Sequence, residues 1–378
     1  MKLFVFSKWS YGGLSTFFQQ LNKIKNKKLN IKFFLFHPTK DEYKFKELNY
    51  KIIYPHLSLK SDSILLLPIK FFFFFKDLLK TFFIIQKKEK IITLAADLYS
   101  LVILAFIKNI SKINIIFIVN INYEKILEKR SFFIKKIIFF LTKFALKKVN
   151  YIIFTSKELK KNFFCLFKTN INKKNSVIYH GIKVYERYKK IRYYIKKNPI
   201  ILYVGRLDEQ KDVETIIKAF YKISKKIKKA KLWIVGDGEN YEKLKKLVLS
   251  LDLKSKVSFF GWQKNVDKFY QKADLFVFSS NYEGFSYVII EAMSHGLPII
   301  TTNSPYGPKE IIKKNKYGIL VPVKDVEKMR KAIEKILTNK KIYIQYSKMA
   351  LKRVEFFSEK KMLNKFKKIF QRFNLIYK

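Results

Sequence analysis

The sequence is poor in cysteine, glycine, proline and histidine. Its single cysteine, Cys165, excludes an internal disulfide and a thiolate zinc site, and it fits a reducing compartment. With 11 Gly and 8 Pro in 378 residues, the chain is neither collagen-like nor of low complexity. The sequence also lacks a P-loop, an Asp-x-Asp motif after a strand, and metal-ligand spacing among its histidines, at positions 37, 56, 180 and 295. We therefore expect no metal and no cofactor.

Long uncharged runs are also missing. Leu98–Ile107 lies between Asp97 and Lys108, and no run reaches the roughly 18 residues that a membrane-spanning helix needs. The first residues lead directly into the strand-like segment Leu3–Phe6, so no signal peptide is expected. These features predict a soluble or membrane-peripheral protein of the cytoplasm.

Basic residues, by contrast, are abundant. The chain has 79 Lys and Arg against 29 Asp and Glu, a formal net charge of +50. A genome rich in A and T would raise the Lys content, but it does not easily explain the shortage of acidic residues. A chain of this charge is attracted to polyanions, and anionic lipid and nucleic acid are the candidates.

Strand-like and helix-like segments alternate along both halves of the chain, which is typical of parallel βαβ units. The alternation is interrupted at Lys183–Asn198, a stretch rich in Lys, Arg and Tyr that we interpret as an inter-domain connection. We predict an α/β fold of two facing, Rossmann-like, doubly wound domains with a ligand cleft between the carboxyl ends of their sheets. The domains are residues 1–185 and 199–357, and residues 358–378 form an amphipathic helix that packs back on the first domain.

Two carboxylates flank a predicted helix start within Ser279–Ile300. Glu283 lies in a loop, and Glu291 follows eight residues later, inside the helix. The free N–H groups at this start favour a diphosphate, and they belong to Gly284, Phe285 and Ser286. One carboxylate would then reach a transferred sugar and the other the ribose hydroxyls. Taken alone, however, the pair could also be a solvated Glu283 and an ordinary helix residue, Glu291.

Two cations follow a predicted strand in the motif VGRLDEQKD. Arg206 offers a bidentate fork and Lys211 a compact point charge, as a donor pyrophosphate and its leaving group require. A metal would be redundant beside them. The alternative is two ordinary surface cations in a very basic chain.

From about residue 199 to 337 the ordered motifs GRL…K, GDGE, V-x-F-x-G, S-x-YEGF…EAM-x-x-G-x-P and G-x-x-EII…G-x-LVP resemble the C-terminal domain of the family-4 retaining glycosyltransferases, which have the GT-B fold. The resemblance implies that Glu283 contacts the donor sugar and Glu291 the ribose, while Arg206 and Lys211 hold the phosphates.

The resemblance also implies a reaction and its partners. A hexose or N-acetylhexosamine would move from a nucleotide-diphosphate sugar, with UDP the expected nucleotide, to a growing glycan on a lipid-linked acceptor. The expected setting is the synthesis of bacterial surface polysaccharide, lipopolysaccharide or glycoprotein glycan. The first domain would be the acceptor side and the second the nucleotide-sugar-binding side.

The first half of the chain matches the family less closely. Gly12-Gly13 fits the family's glycine turn near the donor phosphates, which makes Gly13 a candidate donor contact. Where many members carry a histidine after the strand Ile115–Val119, this chain has Asn120. Asparagine can orient a sugar hydroxyl but cannot titrate, and we take Asn120 with Glu283 as the catalytic candidates. His180 stands where the family usually has Asn, and we expect a structural role for it.

A membrane surface is a further expected partner. In Phe132–Lys148, apolar residues such as Phe133, Ile137 and Phe140 can share one helix face edged with lysines, which suits an anionic bilayer. The alternative is a core helix with solvated lysines. We predict a peripheral location on the inner face of the cytoplasmic membrane.

Two other functions remain open. The chain could be a non-catalytic GT-B relative, because Asn120 replaces the expected histidine, or a basic polyanion-binding protein. No zinc finger or aromatic RNA-binding strand is recognisable, so no specific nucleic-acid partner is expected.

Overall fold

Within the described residues, seven parallel strands form one sheet of the computed structural model and six form a second. The structure describes residues 2–8, 13–24, 30–36, 50–54, 67–86, 91–128, 130–169, 174–185 and 190–373. The chain divides into a first unit, Met1–Tyr179 with Met362–Lys378, and a second unit, His180–Lys361. The predicted α/β class with two doubly wound domains is confirmed.

The first sheet has the strand order β3-β2-β1-β4-β5-β6-β7, with all neighbours parallel. Its strands are β1 (Lys2–Lys8), β2 (Asn30–Phe36), β3 (Tyr50–Tyr54), β4 (Ile91–Ala95), β5 (Asn114–Val119), β6 (Tyr151–Phe154) and β7 (Asn175–Val177). The helices of this unit are α1 (Gly13–Asn22), α2 (Leu67–Gln86), α3 (Leu98–Ile107), α4 (Tyr123–Glu128), α5 (Phe132–Lys148), α6 (Lys157–Phe167) and most of the C-terminal helix α14 (Glu359–Arg372).

The second sheet has the order β10-β9-β8-β11-β12-β13, again with parallel neighbours. Its strands are β8 (Ile200–Val204), β9 (Lys231–Val235), β10 (Val257–Phe259), β11 (Leu275–Phe278), β12 (Ile299–Thr302) and β13 (Ile319–Val321). The helices are α7 (Val213–Lys226), α8 (Tyr241–Ser250), α9 (Asp267–Lys272), α10 (Tyr287–Ser294), α11 (Gly307–Ile312), α12 (Val326–Thr338) and α13 (Lys340–Val354), and a 3-10 turn (Glu355–Phe357) follows.

Both sheets bury their central strands on both faces. Every residue of β4 and every residue of β11 is buried, which explains why β11 is a continuous hydrophobic run and why the one polar residue of β4, Thr93, donates a hydrogen bond to the Asn114 carbonyl. In each sheet the strand order reverses between the first strand of the unit and the fourth along the chain, at β1/β4 and at β8/β11. Ligands of such sheets bind beyond the carboxyl ends of the strands at this switch point.

The stretch predicted as an inter-domain connection is, where described, part of the second unit. The Arg192 guanidinium donates to the carbonyls of Tyr270 (3.1 Å) and Gln271 (3.0 Å), and the Arg192 N–H donates to the Ser347 hydroxyl (2.8 Å). These bonds tie residues 190–198 to α9 and α13. The composition indicated an inter-domain connection because the segment is rich in Lys, Arg and Tyr. The sequence does not reveal that a cation such as Arg192 donates to backbone carbonyls of the second unit.

The C-terminal helix α14 is amphipathic, and its apolar face is buried. Met362, Phe366 and Phe370 are at most 3% exposed, and the Phe366 ring lies 5.4 Å from that of Phe17 on α1. The apolar face of α14 from Met362 onward therefore packs in the core of the first unit, whereas the start of the helix belongs to the second.

Two surface features of the described residues bear on function. None of the described helices combines the length and hydrophobicity that crossing a bilayer requires. Cys165 lies on α6 with its side chain exposed.

Candidate functional site

The candidate site lies at the switch point of the second sheet. Two loops leave neighbouring parallel strands there: the β8–α7 loop (residues 205–212) and the β11–α10 loop (residues 279–286). Arg206 and Lys211 belong to the first loop and Glu283 to the second. The residues that the motifs singled out therefore share one edge of the sheet.

Lys211 and Glu283 form a buried ion pair between the two loops. The Lys211 ammonium donates to the Glu283 carboxylate, and the two side chains are 12% and 6% exposed. The same ammonium lies 5.2 Å from the centroid of the Phe278 ring. Charges that are largely withdrawn from water are stabilised when they pair with an opposite charge. The pair thus joins the two loops of the site by electrostatic attraction.

Hydrogen bonds between the two loops surround this pair. The Ser279 hydroxyl donates to the Lys211 carbonyl (2.6 Å), and the Asn281 N–H donates to the Gln210 carbonyl (2.7 Å). The Gln210 side-chain amide donates in turn to the Tyr282 carbonyl (2.8 Å). These contacts provide hydrogen-bond partners for backbone groups that lie outside helices and strands. They also fix the two loops relative to each other.

Arg206 is the exposed cation of the site. Its guanidinium contacts the Asp208 carboxylate at 2.7 Å and donates to the Gln210 side-chain carbonyl at 3.2 Å, while 56% of its side chain is exposed. Arg206 is joined to the β11–α10 loop only indirectly, through Gln210. Its charge therefore faces solvent, where an incoming anion can reach it.

Glycines set the path of the β8–α7 loop. A Cβ atom on Gly236, whose φ is +137°, would lie 1.8 Å from the Gly205 carbonyl oxygen, and one on Gly238 would lie 2.4 Å from the Leu207 carbonyl oxygen. The loop that follows β9 therefore packs backbone against backbone on the residues that flank Arg206. Only glycine permits this approach.

The start of α10 carries an unsatisfied hydroxyl. Ser286 is the N-cap residue, yet its side chain makes no capping bond. Its Oγ is buried and has no hydrogen-bond partner among the described residues, and the residue is 3% exposed. This hydroxyl therefore supplies unused hydrogen-bonding capacity at the start of α10, three residues after Glu283.

Glu291 lies one and a half turns into α10, away from the ion pair. Its carboxylate accepts a hydrogen bond from the Tyr270 hydroxyl at 3.0 Å, and the Tyr270 ring stacks on His295 at 5.2 Å. Burial raises the pKa of Glu291 to about 7, against the lowering effect of the Tyr270 bond. No motif marked Tyr270, since its position beside Glu291 depends on how α9 packs against α10.

His180 and His295 are buried and neutral. Burial lowers the pKa of His180 to about 3 and lowers that of His295. The His180 ring packs against Phe285 and Tyr287. The His295 Nδ1 contacts the Glu291 carbonyl at 3.0 Å, as expected for a residue that packs at the end of its helix.

The first-unit candidates lie at the carboxyl edge of their own sheet. Asn120 directly follows β5, and its Oδ1 is buried without a hydrogen-bond partner among the described residues. Gly13 begins α1, whereas Gly12 lies outside the described residues. Both positions follow strands of the sheet, as the sequence predicted, and their roles stay predictions.

The same fold occurs in solved glycosyltransferase structures. HepE of Anabaena in complex with UDP matches with a TM-score of 0.79 at 16% identity, over 98% of this chain and 100% of that one. Sucrose-phosphate synthase of Thermosynechococcus elongatus matches with a TM-score of 0.78 at 18% identity, over 98% of each chain. The chain therefore has the GT-B fold.

The sequence comparison places the second unit in a family. Residues 184–353 match the model of "Glycosyl transferases group 1". An uncharacterized glycosyltransferase of Methanocaldococcus jannaschii is 37% identical over 184 residues, 47% of this chain and 45% of that protein. The N-acetylgalactosamine-N,N'-diacetylbacillosaminyl-diphospho-undecaprenol 4-alpha-N-acetylgalactosaminyltransferase of Campylobacter jejuni is 31% identical over 166 residues, 44% and 45% of the two chains. The chain spans about half the length of these curated relatives, and its similarity to the group 1 glycosyltransferases covers residues 184–353.

We expect Lys211→Met to lower the free energy of unfolding by about 3 kcal/mol, because it leaves the Glu283 carboxylate buried without its partner. Adding Glu283→Gln should recover most of that loss. Urea unfolding of both single variants and the double variant measures the coupling. Lys218→Met is the control, since its partly exposed pair with Glu214 should contribute less than about 1 kcal/mol. If the double variant lost as much free energy of unfolding as the two single variants together, the result would contradict a stabilising ion pair.

The raised pKa of Glu291 predicts a pH-dependent cost to folding. Below pH 4.5 the carboxyl is protonated in both the folded and the unfolded chain, and above about pH 7 the folded protein must hold it ionised. Glu291→Gln should therefore stabilise the protein by on the order of 2 kcal/mol at pH 8 and by nearly nothing at pH 4.5. Urea unfolding at the two pH values measures this. An equal change in the free energy of unfolding at both pH values would refute the raised pKa of Glu291.

Proposed function

We propose that this protein is a retaining glycosyltransferase that uses a nucleotide-diphosphate sugar as donor, with UDP as the nucleotide. The observation that carries the proposal is the Lys211–Glu283 ion pair, which joins two loops at the switch point, where the start of α10 carries the buried Ser286 hydroxyl without a hydrogen-bond partner among the described residues. Membership of residues 184–353 in the group 1 family supports the activity. The UDP in the structurally similar HepE supports the choice of nucleotide.

The donor diphosphate binds at the start of α10. The amides of Gly284, Phe285 and Ser286 and the free Ser286 hydroxyl donate to its oxygens, and Arg206 approaches from solvent. The Lys211 ammonium can then be shared between the Glu283 carboxylate and a phosphate. Such an arrangement neutralises a diphosphate without a metal ion, so we propose metal-independent transfer.

The two carboxylates recognise the two ends of the donor. Glu283 lies next to the diphosphate and accepts hydrogen bonds from the hydroxyls of a transferred hexose or N-acetylhexosamine. Glu291, further along α10, accepts from the ribose hydroxyls, in competition with or alongside Tyr270. Because ribose hydroxyls bond best to the ionised carboxylate, donor affinity should rise with pH through about 7.

The transfer conserves the configuration of the sugar. The bond between the anomeric carbon and the diphosphate oxygen breaks, and an acceptor hydroxyl bonds to that carbon from the same face. The acceptor proton passes to the departing phosphate oxygen, and the nucleoside diphosphate leaves stabilised by Arg206, Lys211 and the amides of α10. Asn120 orients a sugar hydroxyl and takes no part in proton transfer, since an amide does not titrate.

The acceptor is a growing lipid-linked glycan of a bacterial surface polysaccharide, lipopolysaccharide or glycoprotein. Support comes from the Campylobacter jejuni relative, whose name specifies a diphospho-undecaprenol acceptor, and from a lipopolysaccharide core biosynthesis glycosyltransferase of Rhizobium meliloti, 33% identical over 141 residues. A lipid-linked acceptor requires that the enzyme reach a bilayer surface.

Helices α2 and α5 carry an aromatic surface suited to that task. Phe132, Phe133 and Phe140 on α5 are 72%, 54% and 73% exposed, and Phe75 and Phe83 on α2 are 53% and 59% exposed. Each helix packs against α3, through ring contacts of Phe106 with Phe74 and Phe144. Exposed aromatics at this density, edged with lysines, suit the interface of an anionic membrane. We therefore place the protein on the inner face of the cytoplasmic membrane.

A screen of UDP- and GDP-sugars tests the donor site. A ligand at 100 times its Kd adds about 2.7 kcal/mol to the folded state, so the true donor should raise the melting temperature. Glu283→Ala should abolish sugar transfer, and Glu291→Ala should weaken donor binding. The control is Glu242→Ala, an exposed residue of α8. Wild-type turnover in both site variants would refute the assignment.

Vesicle co-sedimentation tests the membrane surface. The double variant Phe132→Ser/Phe140→Ser should lose at least about tenfold in binding to anionic vesicles, since each buried ring contributes roughly 2 kcal/mol. Leu249→Ser removes a similarly exposed apolar side chain from α8 and should have no effect. Equal binding of the wild type to anionic and neutral vesicles would remove the proposal.

A further inference from the structure

We propose that His180 is a positioning residue for the β11–α10 loop, which it holds through the ring of Phe285. The inference rests on the proposed function, because that loop carries Glu283 and the amides assigned to the donor diphosphate. His180 lies about 100 residues away in sequence, and no motif connected it with the donor.

The Phe285 ring is enclosed by rings from separate segments of the second unit. The His180 ring lies 5.4 Å from it edge-on, and the Phe357 ring lies 5.6 Å from it edge-on. His180 also packs at 4.7 Å on Tyr287, the first residue of α10. Edge-on pairs of this kind stabilise a fold beyond the burial of their apolar surface. The ring cluster therefore fixes both the loop and the helix start.

The loop backbone is confined as well. A Cβ atom on Gly307 would lie 2.7 Å from the Phe285 Cα and 3.3 Å from the Gly284 carbonyl oxygen. The first turn of α11 thus lies against the peptide groups that are to face the diphosphate. Because Gly307 restricts the position of the loop backbone, we expect the orientation of the loop to depend on how the Phe285 ring packs.

His180 is itself held in place by backbone bonds. The Ile182 N–H donates to the Phe357 carbonyl (2.9 Å), and the Glu359 N–H donates to the Ile182 carbonyl (2.8 Å). A Cβ atom on Gly181 would lie 2.8 Å from the Ser358 carbonyl oxygen, so these two segments touch directly. The rings of His180 and Phe357, which both contact Phe285, therefore come from two segments that are hydrogen-bonded to each other.

The ring acts by packing and not by proton transfer. His180 is 6% exposed, and burial keeps its pKa near 3, so the imidazole is neutral at physiological pH. An aromatic ring without titrating nitrogens should accordingly serve in its place. An alanine should not, because it removes both ring contacts.

Isothermal titration with UDP, followed by donor kinetics, tests the proposal on the full chain. His180→Ala should raise the Kd for UDP about tenfold, equivalent to about 1.4 kcal/mol, raise the donor KM and lower kcat. His180→Phe should bind UDP nearly as the wild type does, with a superimposable pH–rate profile. Ile333→Ala, a fully buried truncation in α12, should lower the melting temperature and leave the Kd of the folded protein unchanged.

Each outcome decides a different point. Unchanged UDP affinity in His180→Ala would reduce His180 to a purely structural residue and overturn the inference. Loss of affinity in His180→Phe equal to that in His180→Ala would show that the ring nitrogens matter, which also overturns it. A wild-type protein that binds neither UDP nor GDP would instead refute the proposed function.

Discussion

Both sheets bury their central strands on both faces, and this constraint decides where chemistry can occur. The fully buried strand β11 carries only apolar side chains. In the second unit the charged side chains of Arg206, Lys211 and Glu283 lie instead in loops beyond the strand ends. In the second unit the strand order reverses between β8 and β11, and the two loops that meet there carry Lys211 and Glu283. The location of the candidate site is thus a consequence of topology as much as of motif.

Burying the ion pair between those loops costs desolvation free energy, which its mutual attraction and the surrounding hydrogen bonds offset. Withdrawing an ammonium and a carboxylate from water costs several kcal/mol per ion unless each is neutralised and hydrogen-bonded. Here the pair neutralises itself, while bonds from Ser279, Asn281 and Gln210 satisfy the surrounding backbone. The contacts between the loops thus hold the Lys211 ammonium in one position at the end of the sheet. In the proposed function a donor diphosphate would meet hydrogen-bond donors that are already oriented, so that little reorganisation would remain.

The sequence predicted the architecture and placed the candidate residues beyond the strand ends, but it did not predict their contacts with one another. Long, regular segments such as α5 agreed to the residue, because seventeen residues of one pattern leave little ambiguity. The three-residue edge strands β7 and β13 are not marked by the sequence pattern. Lys211 was expected to face phosphate, and only the fold shows that it pairs with Glu283. Tyr270 and the ring cluster around Phe285 depend on tertiary packing between distant segments, which no local pattern encodes.

The exposed thiol of α6 has a practical consequence. Cys165 is the single cysteine of the sequence, and its side chain is accessible. A maleimide dye or spin label would therefore attach at one known point of the first unit without any prior mutagenesis. One engineered cysteine on an exposed position of the second unit would complete a pair for spectroscopic distance measurement. The scarcity of sulfur that first excluded disulfides and zinc thus makes the motions of this chain directly measurable.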